Sequence, residues 1–434
     1  MSKRNKTLLT ILIIALVILA FFWLTREKPG PLAPGETPST NFWSQFNPFN
    51  QTAPSPQPPG ELPPSGPPPP ASQAELRLRK VSSMPVAGYV VFEKERYKEV
   101  PTIAPGTEPP PTGQPTPPQT EFAPALRYVA RATGNIYQTF ADKIDERKFT
   151  STLVPKVYEA SFGNKGEAEI MRRLKADERT IETFVGALPK EVLGGDTTEN
   201  NEVNGTFLPD NITEMSVSPD GSKIFYLYNS GENAVGITSG ILGDKKVQVF
   251  DSPFTEWLSS WPSAKIITLT TKPSGGVLGY TYALNPDTKS LTKILGGING
   301  LTALGSPNGK LVLFGDSNLS LNIYDVESRS SFALGARTLP EKCAWGRGSL
   351  TLFCAVPKFA PGALYPDSWY RGEISFNDDI WKIDIETGSG AVILEPGAVP
   401  GGEVMDGIKL SLDENESYLF FVNKGDSSLW EMKL

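Results

Sequence analysis

The chain has 434 residues, with 41 basic and 48 acidic side chains, no histidine and two cysteines. The lack of histidine excludes a Ser-His-Asp triad and removes the commonest metal ligand. Without residues 1–28, 36 basic residues face 47 acidic ones, a balance that argues against nucleic acid or anionic lipid as a partner.

Residues 7–25 are almost continuously apolar, about the ~20 residues a helix needs to cross a bilayer. Lys3, Arg4 and Lys6 precede this run, which predicts a cytoplasmic tail at 1–6 and an extracytoplasmic C-terminal side. Trp23 stands at the far end, where aromatic side chains favour the interface. The other reading is a cleaved signal peptide, but no small-x-small site follows the run. No cysteine lies near its end, which argues against a lipoprotein. Residues 29–72 are proline-rich and predict an extended, disordered linker with no core of its own.

From residue 75 the pattern is all-β. The clearest unit is Ile212–Val217, the turn Ser218-Pro219-Asp220-Gly221, Lys223–Tyr228, then short strands near Val235–Ile241 and Lys245–Phe250. Related turns recur at Pro262-Ser263-Ala264, Pro307-Asn308-Gly309, Gly346-Arg347-Gly348 and Asp413-Glu414-Asn415-Glu416, several at the ~40–45-residue period of four-stranded propeller blades. An earlier unit turns at Gly163–Gly166, although Glu167–Asp177 is rich in helix formers and also reads as a short helix. The first unit runs from Val86–Lys94 through Leu126–Ala132 and Ile136–Ala141 to Arg147–Val154, with a proline-rich loop at 101–124 expected to be disordered. The last unit stops at its third strand, and Glu75–Val81 is an alternating strand left over before the first. Pairing these two closes a ring and buries Leu76 and Leu78.

The Ser-Pro-Asp-Gly and Ser-Pro-Asn-Gly turns, each followed by Lys and an apolar strand, resemble the PD40-type repeats of TolB-like propellers. WD40 propellers are similar in outline, but their Gly-His and Trp-Asp signatures are absent. The resemblance covers residues 75–434 and implies a seven-bladed propeller with a binding or scaffolding role. It carries no catalytic residue across.

No nucleophile elbow, phosphate loop or zinc spacing is present, so neither cofactor nor metal is expected. Paired carboxylates remain possible, but Asp378 and Asp379 are adjacent and face opposite ways on a strand. The sixth unit carries a long insertion, Pro357–Phe376, between its second and third strands. Its Tyr365, Asp367, Trp369, Tyr370 and Arg371 are the candidate ligand-binding residues. The alternative is that Trp369 and Tyr370 plug the space above the blade. Cys343 and Cys354 lie on neighbouring strands. With Trp345 facing Leu350 they would be diagonal, roughly 7–8 Å apart, near the limit for a bridge, while an exported domain favours a disulfide. Both states stay open.

The sequence therefore predicts an all-β, seven-bladed propeller closed by an N-terminal strand, behind a transmembrane helix and a proline-rich linker. The expected role is to bind an envelope protein or a glycan. The alternative is a carboxylate-based glycan hydrolase or lyase with its site at the propeller axis.

Overall fold

The computed structural model describes residues 77–98, 118–191, 193 and 202–434. The expected tail 1–6, apolar span 7–25, linker 29–72 and Leu76 lie outside the described residues. Among the described residues, no helix is long and apolar enough to cross a membrane.

Seven four-stranded antiparallel sheets make seven blades. Their first strands are Val86–Tyr97, Val157–Gly163, Ile212–Val217, Trp257–Ser263, Thr302–Gly305, Cys343–Trp345 and Gly407–Leu412. First strands of successive blades approach one another, so these are the inner strands around the axis. Apolar faces of adjacent blades pack together: Leu313, Leu321 and Ile323 of blade 5 meet Leu352 and Ile383 of blade 6.

The repeated turn explains itself chemically. Ser218 Oγ donates to Asp220 Oδ1 (2.6 Å) and accepts from Lys223 N–H (2.9 Å), while Gly221 takes a positive φ of 73°. Ser306, Asn308, Leu311 and Gly309 repeat the arrangement. A short acceptor at the third position and a glycine at the fourth are what this turn requires.

Blade 7 is completed by Leu78–Lys80, which pairs antiparallel with the final strand, Leu429–Lys433, in the register Leu78 to Met432. Leu78 is buried. Arg79 forms an ion pair with Glu431 (2.8 Å) and donates to the carbonyls of Lys143 and Ala141, which tie it to blade 1.

Four sequence expectations need correction. Ala168–Leu174 is a strand, because Ala168, Ile170 and Met171 are buried against neighbouring blades, and that packing overrides helix propensity. The second strand of blade 1 begins at Thr120, so 120–124 belong to the sheet rather than to the loop. Its fourth strand is only Arg147–Lys148. Lastly, Trp345 pairs with Leu352, not Leu350, because the turn spans two more residues: Gly346 N–H bonds Thr351 O and Ser349 takes a φ of 58°. This register sets Cys343 directly opposite Cys354, and the two are joined in a disulfide.

One buried acid has a consequence for stability. Glu169 of blade 2 lines a cavity of about 240 Å³ with Met171, Phe184, Val203 and Phe207, and its Oε2 has no protein partner. Burial pushes its carboxyl up to about 8. A carboxyl whose folded pKa is raised makes the folded state hold the extra proton, so it costs stability progressively as pH rises from the unfolded pKa to the folded one. Glu169→Gln should therefore raise Tm more at about pH 8 than at about pH 5. An equal change at both pH values, read by thermal melts, would reject the assignment.

Candidate functional site

Three inner strands carry a β-bulge at the same level, near their first residues: Val86/Gly88, Val157/Glu159 and Ile212/Glu214. The inner strand of blade 7 is irregular between Ile408 and Ser411, where Lys409 takes a φ of 52°. A bulge re-aims side chains and breaks ladder pairing, and such features gather beside functional sites. Here they bring polar side chains from separate blades into one electrostatic cluster at one end of the axis.

Glu159 of blade 2 accepts from Arg172 Nη1 at 2.5 Å. The same guanidinium donates to the carbonyls of Ile212 and Thr213 in blade 3. Glu214 of blade 3 is pushed up to about 7 by burial and by the charge of Glu159; Arg172, the Ser259 N–H of blade 4 and Lys272 oppose the rise. Lys409 of blade 7 donates to Ala87 O of blade 1 (3.1 Å). Burial lowers its ammonium, Arg131 and Arg172 lower it further, and Glu159 works against them. Tyr158 stacks under Arg172, 5.5 Å from guanidinium carbon to ring centroid.

Blade 6 adds two groups. Glu341, just before the inner strand, is pushed up to about 7 by burial, although a hydrogen bond from Tyr370 and the charge of Lys342 pull it down. Burial raises the Tyr370 phenol, and so do the charge of Glu341, to which its hydroxyl is hydrogen-bonded, and the charge of Glu214. The axial end therefore holds the raised carboxyls of Glu214 and Glu341, the Glu159–Arg172 pair, two tyrosines and Lys409.

The insertion is fastened over several blades. Asp367 accepts from Gly275 N–H of blade 4 (2.6 Å). Tyr365, Trp369 and Phe376 form a buried cluster with Leu319 and Leu339 of blade 5. Lys424 of blade 7 donates to Trp369 O at 2.6 Å, its Nζ lying 4.4 Å from the indole centroid. Of the five residues singled out in the sequence, Tyr365 and Trp369 are interior and Asp367 is a fastening. Arg371 is exposed and paired with Glu373. Tyr370 alone among them reaches the axial cluster.

Beneath Trp369 lies a second polar cluster. Lys342, Asp378 and Asp406 are essentially without solvent contact, and Lys342 Nζ donates to Asp378 Oδ2 (2.8 Å), Asp406 Oδ1 and Gly407 O (3.0 Å). Asp379 points the other way, to Lys358 at 3.1 Å, so the adjacent acids share no site. Among the described residues, no group of three or more His, Cys, Asp or Glu side chains has the geometry to hold a metal ion.

No protein-family model and no curated protein matches this chain. Solved structures similar to it include an oligogalacturonate lyase in complex with manganese, at 10% identity and TM-score 0.48, over 71% of this chain and 85% of that one. An oligogalacturonate lyase from Vibrio parahaemolyticus is similar at 8% identity and TM-score 0.47, over 83% and 94% of the two chains. TolB from Acinetobacter baumannii is similar at 13% identity and TM-score 0.39, over 60% and 59%. The assignment of a seven-bladed propeller rests on the seven sheets of the chain itself.

Proposed function

We propose that this chain is a membrane-anchored, extracytoplasmic propeller of the cell envelope that binds a glycan at the axial end beneath its blade-6 insertion. The convergence of Glu159, Glu214, Glu341, Tyr158, Tyr370 and Lys409 from five elements of the ring carries this reading. The raised carboxyls of Glu214 and Glu341 can both donate and accept hydrogen bonds, which suits paired sugar hydroxyls, and tyrosine faces suit the apolar side of a sugar ring. The Ser-Pro-Asp-Gly turns support a TolB-like repeat, and the basic flank before residues 7–25 supports the topology.

Glu214→Gln and Tyr370→Phe should each weaken glycan binding by roughly tenfold to a hundredfold, the cost of losing a hydrogen bond to a charged group. Titration calorimetry against envelope glycans measures this. Unchanged affinity in both variants, with the fold intact, would move the site elsewhere. Protease added to intact spheroplasts should digest the propeller side of the chain; full protection would overturn the topology.

A second reading has its own observation. Glu214 and Glu341 are both pushed up to about 7, the range suited to a general acid at neutral pH. The same glycans, incubated with the protein and analysed for shortened products, separate the two: cleavage lost in Glu214→Gln identifies an enzyme, and intact glycan identifies a binder.

A further inference from the structure

The cluster at Lys342 is organised in a way that a simple ion pair does not need. Two carboxylates and one ammonium share a site closed to solvent, with side-chain exposures of 0% for Lys342, 0% for Asp378 and 1% for Asp406. Fully ionised, it would hold a net negative charge with no water to stabilise it, which is costly. The two acids are also treated differently. Asp406 accepts from Trp369 Nε1 (3.0 Å to Oδ2), Ser375 Oγ (3.0 Å) and Phe376 N–H (3.1 Å), besides Lys342. Donors on both oxygens favour its charged form. Asp378 accepts one backbone N–H, from Gly407, on Oδ2 (2.7 Å), while its buried Oδ1 has no partner. Burial pushes the Asp378 carboxyl up to about 6, with Lys342 pulling the other way.

A buried carboxyl with one unpartnered oxygen, an amine held against it and a separate carboxylate on the same nitrogen are the parts of an amide-forming reaction. We propose that Lys342 and Asp378 condense in the folded protein to an intramolecular isopeptide bond, with Asp406 as the base. Asp406 takes a proton from the Lys342 ammonium. The freed Nζ lone pair attacks Cγ of the neutral Asp378 carboxyl, whose Oδ2 is polarised by the Gly407 N–H. The Cγ–Oδ1 bond breaks and Oδ1 leaves as water, carrying its own hydrogen and the second one lost by the nitrogen. The products are one amide, one water and a neutral Asp406, so charge and atoms balance. Trp369 and Phe376, whose rings lie 5.2 and 5.3 Å from Nζ, keep bulk water away from nucleophile and product. Reaction removes a buried ion pair and ties the start of blade 6 to the strand that follows the insertion, beside the disulfide at Cys343. This inference does not rest on the axial site, although forming the amide removes the Lys342 charge that pulls Glu341 down.

The test is mass spectrometry on the purified, folded full chain after reduction and alkylation. The protein should be lighter by one water than its sequence with both cysteines alkylated, and digestion should give one branched peptide joining Lys342 to Asp378. Asp378→Asn should give the same linked product, because ammonia then leaves instead of water. Lys342→Met, and Asp406→Ala with its fold checked by circular dichroism, should carry their full masses. Separate, unmodified peptides for Lys342 and Asp378 from folded wild-type protein would overturn the proposal, as would a bond from Lys342 to Asp406.

Discussion

Deletion of residues 74–81 should unfold the whole propeller, although it removes a single short strand. Leu78–Lys80 supplies the fourth strand of blade 7, and its loss strips the final strand of its outer neighbour. Val81 N–H to Leu429 O (2.7 Å) and Lys433 N–H to Arg77 O (2.9 Å) go with it. Leu78 leaves the cluster it shares with Trp430, Met432 and Phe421. Glu431, already pushed up to about 7 by burial, loses Arg79, the partner that draws its pKa down. Blade 7 then also loses the Arg79 bonds to blade 1, so the ring opens at one seam. Side-chain burial alone is worth about 2–3 kcal/mol for Leu78. With the unpaired acid and edge added, the loss should exceed about 5 kcal/mol, the low end of a domain's whole stability. Deleting residues 29–70 should barely move Tm. Small, equal shifts from the two deletions, measured by calorimetry, would mean that this seam does not hold the ring shut.

That closure was legible because it is a local pattern. An alternating strand ahead of the first unit and a missing strand in the last both stand in plain sequence, and backbone groups must find partners. The turns were legible for a related reason: Ser218, Asp220 and Gly221 fulfil their roles within four residues. Register at Cys343 was not, since it depended on a turn two residues longer than the hairpin assumed. The axial cluster was harder still. Glu159 and Glu214 each read as an ordinary polar residue in an alternating strand, and nothing local couples them. A signal does exist: the third residue of the inner strand is Gly88, Glu159, Glu214, Ser259 and Lys409 in five of the blades, whereas blades 5 and 6 have Leu304 and Trp345 there. Aligning the units on their inner strands, rather than on the turns, would have exposed it. The insertion misled because Trp and Tyr suit interfaces and interiors alike, and sequence spacing does not choose between them.

Trp369→Ala should destabilise the protein by about 3–5 kcal/mol, the usual cost of emptying a large aromatic site in a core. The indole is buried among Tyr365, Phe376, Leu319 and Leu339, stacked on Phe376 at 6.2 Å between centroids. Truncation leaves a cavity there and removes the Nε1 donor from Asp406. It also exposes Lys342 and Lys424 to a void where each now lies over the indole face. The insertion would then be held by Asp367 on Gly275, by the Lys424 contact to the chain and, at its far end, by Ser375 and Phe376 on Asp406, so the stretch around 357–372 should become the first site of proteolysis. Arg371→Ala makes the contrast, because its pairing with Glu373 is exposed and screened by solvent, so Tm should barely move. Ligand affinity separates packing from recognition. A lowered Tm with early cleavage inside the insertion marks Trp369 as the plug that holds Tyr370 over the axis. An unchanged Tm with lost binding would instead make the indole itself a ligand contact, and the buried position of the ring would have to be abandoned.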